Sequence, residues 1–200
     1  MKRGSGLRIV LLVVALLTAR DNISAEGHRF LLVAQPSDDG PIDCGFRSVN
    51  HYNRGVEFQK KGDLDKAIVE YRESIRLCST FWRPAYNLAT ALHNKGDLDA
   101  AAVQYRNVIR EWPKIWQAHL ELGHILDGKG DLEGAIAEYR AAIKRHNKYA
   151  GTHYSLGHAL QAKGDLKGAI EEYRTAMRLQ PKYPEAQAGM EEALKARGKP

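Results

Sequence analysis

The sequence predicts an all-α fold: a right-handed α-α superhelix, a solenoid of four 34-residue helix-turn-helix repeats with a C-terminal capping helix. The first observation is a tetrapeptide. Lys61-Gly62-Asp63-Leu64 returns at Lys95-Gly96-Asp97-Leu98, Lys129-Gly130-Asp131-Leu132 and Lys163-Gly164-Asp165-Leu166, each time 34 residues on. A fixed period of this length marks a stacked architecture, in which each unit buries its apolar face against its neighbours. The second observation is the chemistry of each copy. Glycine just past a helix end takes the left-handed backbone that closes the helix, and a side chain there would cost about 1 kcal/mol. The aspartate after it caps the next helix and suits that helix's positive end. The third observation is a set of aligned columns. Gly55, Ala89, Gly123 and Gly157 recur in the first helices, and Ala67, Ala101, Ala135 and Ala169 in the second. Small side chains let helix axes approach, and Tyr71, Tyr105, Tyr139 and Tyr173 fill the wedge between repeats.

Taken in order, the chain begins with a different kind of sequence. Lys2, Arg3 and Arg8 precede an apolar run from Ile9 to Leu17, and small residues follow at Thr18-Ala19 and Ser24-Ala25. This is the layout of a secretory signal peptide over residues 1–25, with cleavage after Ala25 or after Ala19; the other reading is an uncleaved signal anchor. It implies an exported protein, periplasmic or secreted, with the membrane involved only through such an anchor. Residues 26–47 hold Pro36, Gly40 and Pro41 around Asp38-Asp39 and read as a linker or loosely ordered lead-in. The two cysteines are Cys44, ahead of the first helix, and Cys78, near the end of the second. Those places are neighbours in an antiparallel helix pair. The cysteines either form a disulfide tying the lead-in to the first repeat, worth about 3–4 kcal/mol, or stay two thiols.

The repeats span residues 48–81, 82–115, 116–149 and 150–183. Pro113 and Pro181 stop the second helices of repeats two and four, and Ser79 and Asn147 hold that place in the others. A last helix begins at Pro184, well suited to a first helical position, and covers the apolar end of the stack within residues 184–200.

The net charge of +6 comes from 30 basic and 24 acidic side chains, well mixed. The N-terminal segment supplies half of it through Lys2, Arg3, Arg8 and Arg20 against Asp21. The remainder is too little to argue for nucleic acid. No phosphate-binding glycine loop, nucleophile elbow or zinc motif is present, so no catalytic residue, small-molecule substrate or cofactor is expected. His124 and His158 share a column with His93 and Asp127 nearby, but a metal needs three or four ligands in fixed geometry, and no metal site is expected. His51, His119 and His153 form another column, at a position that packs between helices.

The period of 34, Leu-Gly in the first helix, Gly-Asp at the turn, Ala then Tyr in the second helix and Pro after it resemble the tetratricopeptide repeat family. The resemblance covers about Ser48 to Tyr183. Repeat one departs from it, with Arg54 where Leu88, Leu122 and Leu156 stand. The resemblance implies a concave groove lined by the first helices that takes peptides or protein segments. Carried over column by column, it implicates Tyr52, Asn53 and Val56 in repeat one, and Tyr86, Asn87 and Thr90 in repeat two. It adds Leu120, Glu121 and His124 in repeat three, and Tyr154, Ser155 and His158 in repeat four. A known subtype grips C-terminal carboxylates with cationic and amide side chains. Here only Asn87 agrees, and Tyr52, Val56, Gln117 and Glu121 occupy the other places. The function expected is a non-catalytic protein-binding scaffold or assembly adaptor. The alternative is a structural or self-associating repeat unit of an envelope complex.

Overall fold

The computed structural model of the chain describes residues 45–198. The expected signal peptide, Cys44 and most of the lead-in lie outside the described residues, so export and the Cys44–Cys78 bond remain expectations. Among the described residues no cysteine is free, and Cys78 is buried.

The described residues form nine helices. They are α1 (Phe46–Lys60), α2 (Leu64–Leu77), α3 (Trp82–Lys95), α4 (Leu98–Glu111), α5 (Trp116–Gly128), α6 (Leu132–Arg145), α7 (Ala150–Lys163), α8 (Leu166–Leu179) and α9 (Pro184–Arg197). Each packs on its neighbours in sequence, and α1 with α3, α5 with α7 and α7 with α9 also touch. The sequence starts repeat one at Ser48. The helix begins two residues earlier, at Phe46, a shift within the ordinary uncertainty of a helix end.

The four turns behave as their residues dictate. Gly62, Gly96, Gly130 and Gly164 have φ of 79°, 89°, 81° and 91°, and among the described residues no other residue type has positive φ. After each glycine the aspartate N–H reaches back to the carbonyl of a large apolar residue: Phe58, Leu92, Leu126 or Leu160, at 2.9–3.0 Å. This bond closes the first helix. The same aspartate then caps the second. Asp131 and Asp165 accept from the N–H groups of Gly134 and Gly168 at 2.9 Å, and Asp63 and Asp97 from Lys66 and Ala100 at 3.3 and 3.2 Å.

Packing follows the columns. Ala67, Ala101, Ala135, Ala169 and the first three tyrosines are fully buried, and Tyr173 is 1% exposed. A Cβ added at Gly55 or Gly123 would lie 2.6 Å from Tyr71 Cε1 or 2.5 Å from Tyr139 Cε1. The tyrosine ring occupies the volume that the small residue leaves. Arg54 does not enter this core. It is exposed and donates to Glu70 at 2.8 and 3.1 Å, because no earlier repeat covers that side of α1 among the described residues.

Two kinds of polar tie cross the helices. Lys95, Lys129 and Lys163, each preceding a turn glycine, pair with Asp65, Asp99 and Glu133 of the preceding repeat. These bridges are exposed and worth at most about 1 kcal/mol each, so they fix register more than they stabilise. Within repeats one, three and four, His51, His119 and His153 bond through Nδ1 to Glu70, Glu138 and Glu172 at 2.6–2.7 Å. The structural role expected for this column is the one observed. No helix among the described residues is long and apolar enough to cross a membrane.

Candidate functional site

The twelve residues of the expected groove do not play one part. Those at the first position of each set are wedged into the stack. The Tyr52 ring lies 5.2 Å from Phe81 and 6.2 Å from Tyr71. Tyr86 lies 5.8 Å from Tyr105, and Tyr154 lies 5.9 Å from Tyr173 and 5.3 Å from Tyr183. Burial, and after it the charge of Glu121, pushes the Tyr86 phenol up to about 12. Leu120 corrects the expectation outright. It is 6% exposed and belongs to the core around Tyr139 and Leu156, because an aliphatic side chain has no polar tip to hold it at the surface.

A second group serves the tyrosine column from above. Asn87 Nδ2 donates to the Tyr71 hydroxyl at 3.4 Å, and that hydroxyl donates to Gln59 at 2.6 Å. The Thr90 hydroxyl bonds the Tyr105 hydroxyl at 3.0 Å and the Tyr86 carbonyl at 3.1 Å. Tyr173 donates to Gln161 at 2.9 Å. Val56 packs on the core. These contacts satisfy buried phenols, which would otherwise be costly to desolvate.

What remains open to a partner is a polar row: Asn53, Glu121, His124, Ser155 and His158. His124 Nε2 meets Ser155 Oγ at 3.0 Å across the repeat boundary, and its Nδ1 lies 3.5 Å from Glu121. His158 is 59% exposed and its Nδ1 lies 3.4 Å from Asp127. Among the described residues no group of three or more His, Cys, Asp or Glu side chains could hold a metal ion.

Repeat three holds one irregularity beneath this row. The Tyr139 hydroxyl is buried and lacks a hydrogen-bond partner among the described residues. Burial raises its pKa, as do the charges of Asp127 and Glu121. The nearby Ser155 hydroxyl, which could offset this, is engaged by His124 at 3.0 Å. An unpartnered buried hydroxyl costs more than an apolar edge of the same shape. Tyr139→Phe is therefore expected to leave stability unchanged or raise it by up to about 1 kcal/mol, read as the midpoint of urea unfolding.

Sequence reasoning missed three things: the lysine–acid bridges, the histidine–glutamate pairs and the share of the expected groove taken up by packing. The first two were available as fixed offsets, 30 residues from Asp65 to Lys95 and 19 from His51 to Glu70.

Comparison with known proteins agrees with the architecture. Three family profiles, each described as a tetratricopeptide repeat, match residues 50–81, 85–150 and 128–197. No curated protein matches the sequence. Among solved structures, MamA 41-end from Desulfovibrio magneticus RS-1 is similar at 20% identity and a TM-score of 0.67, over 76% of this chain and 92% of that one. A tetratricopeptide repeat protein from Parabacteroides merdae is similar at 18% identity and a TM-score of 0.71, over 77% and 61%. YrrB, described as a TPR protein with an unusual peptide-binding site, is similar at 19% identity and a TM-score of 0.64, over 72% and 74%. At these identities the likeness speaks for the fold. With three profiles along the repeats, four turns of one geometry and a buried tyrosine in every unit, the chain belongs to the tetratricopeptide repeat family.

Proposed function

We propose that the protein is a non-catalytic scaffold or assembly adaptor that holds an extended segment of a protein partner along its first-helix face. Tetratricopeptide repeats generally mediate protein–protein interaction. The observation that carries the finer reading is the polar row left over by packing. Asn53, Glu121, His124, Ser155 and His158 come from first helices, beside half-buried tyrosines. An extended peptide needs amide and hydroxyl partners for its backbone and apolar shelves for its side chains, and this row supplies both. The peptide-binding site of the structurally similar YrrB supports the ligand class. The leader reading puts this binding beyond the cytoplasmic membrane.

The test is co-purification from the envelope fraction with a C-terminally tagged chain, wild type against Asn53→Ala with His158→Ala. Neither side chain is wedged in the core, so helix content should not change. Partner affinity is expected to fall about tenfold or more, and N-terminal sequencing of the recovered chain should begin at Glu26 or Arg20. The same companions at the same yield with both chains would end the reading.

One observation favours the second reading, a structural or self-associating unit. Phe46 at the start of α1 is 79% exposed and Val69 of α2 is 62% exposed. Light scattering over a range of concentrations decides it: a mass that grows with concentration supports self-association.

A further inference from the structure

We propose that the C-terminal end of this face takes the guanidinium or ammonium group of a basic side chain carried by the bound peptide. The proposal rests on the peptide-binding reading above and names the chemistry at one end of it.

A pocket of about 610 Å³ opens among α7, α8 and α9, with Tyr154 and His158 of α7 and Tyr173 of α8 on one side and Glu185, Gly189 and Glu192 of α9 on the other. The columns explain why it exists. Tyr52, Tyr86, Leu120 and Tyr154 share a position whose next member, 34 residues on, is Ala188. Asn53, Asn87, Glu121 and Ser155 share another, whose next member is Gly189. The capping helix gives up a large side chain and a polar one where the face would continue. Gly189 also brings α9 close, since a Cβ there would lie 2.7 Å from Tyr173 Cζ.

What faces the space is aromatic and anionic. Glu185 and Glu192 are exposed and seven residues apart, two helical turns, which puts them on one side of α9. Neither carboxylate has an ion-pair or hydrogen-bond partner among the described residues, and no lysine or arginine lines the pocket. Their field reaches the rings: burial first and Tyr154 second raise the Tyr173 and Tyr183 phenols, and Glu192 adds to the first and Glu185 to the second. His158 is already beside Asp127 at 3.4 Å. A cation at this place is drawn by the carboxylates together with the half-buried Tyr154 ring, since Tyr173 is covered. An anion would meet two carboxylates with no opposing charge.

The test uses the full chain and two fluorescent seven-residue Gly/Ser peptides, one carrying two arginines and the other two glutamates, followed by polarisation. The arginine peptide should bind at low salt and weaken as salt rises, with the glutamate peptide at least about tenfold weaker. Glu185→Gln with Glu192→Gln should weaken the arginine peptide about tenfold without moving the melting curve. Equal binding of the two peptides, no binding of the arginine peptide, or no effect of the double substitution would overturn the proposal. The two readings separate cleanly. If partner capture still depends on Asn53 and His158 while the double glutamine chain behaves as wild type, the cation pocket falls and the peptide-binding reading stands.

Discussion

Tyr105→Ala is expected to destabilise the repeat array by about 3–5 kcal/mol, the usual cost of emptying a large aromatic site in a core. Tyr105 is fully buried in the second repeat. Its ring packs at 5.8 Å on Tyr86, and its hydroxyl meets Thr90 at 3.0 Å. The site cannot collapse readily, because Ala89, Ala101 and Val108 around it are themselves fully buried and small or stiff. In a stack each repeat is held by its neighbours, so a hole in the second unit weakens the coupling of repeat one to repeats three and four. The melting temperature should fall by roughly 10 °C and the transition should broaden. Tyr105→Phe keeps the ring and loses one hydroxyl contact, and should cost about 1 kcal/mol. Circular dichroism melts of the three chains check this. A Tyr105→Ala chain melting within about 2 °C of wild type would show that the ring is not what joins the repeats.

The same column shows why so much of the fold is legible in the sequence. A turn needs a left-handed residue and a cap, and Gly130-Asp131 states both in two letters. The wedge needs something small opposite something large, and Gly123 with Tyr139 states that too. Such rules are local or repeat at one period, so aligned columns expose them. The site is less legible because a column fixes a direction but not its occupancy. Tyr86, Leu120 and Tyr154 share one column, yet Leu120 sinks into the core while the two tyrosines stay half-buried. Asn87 and Thr90 have the look of ligand-binding residues, but they satisfy Tyr71 and Tyr105. The pairing of Lys95 with Asp65 escapes a reading at period 34, since it joins different columns of adjacent repeats. The pocket beside α9 depends on following two columns past the last complete repeat, where Ala188 and Gly189 break them.

The histidine column yields the second large effect, a stability that falls as pH rises. His153 Nδ1 lies 2.7 Å from a Glu172 carboxylate oxygen, and its Nε2 lies 3.1 Å from the Asn147 carbonyl. Both partners are acceptors, so both ring nitrogens must donate, which only the imidazolium can do. The Glu172 hydrogen bond accordingly raises the pKa above its ordinary 6.5, against the opposing effect of burial and with help from Asn147. Repeat three lacks the second bond. There Arg145 Nε occupies the Pro113 carbonyl, the counterpart of Asn147, and His119 Nε2 is left without a partner. Repeat four has Leu179 where Arg145 stands, which frees the carbonyl for His153. A folded pKa above the unfolded one fixes the sign. The contribution of His153 is complete below pH 6.5 and is lost as the pH rises through the folded value. His153→Ala should cost about 2–3 kcal/mol at pH 6, from two charge-assisted bonds and a partly filled cavity, and clearly less at pH 9. Glu172→Gln should flatten the pH dependence while retaining the ring. Urea unfolding at pH 6 and pH 9, with the His153 ring followed by NMR titration, measures both sides of the linkage. If the ring titrates at or below 6.5, Glu172 and Asn147 do not hold it charged, and the loss in His153→Ala would be packing alone.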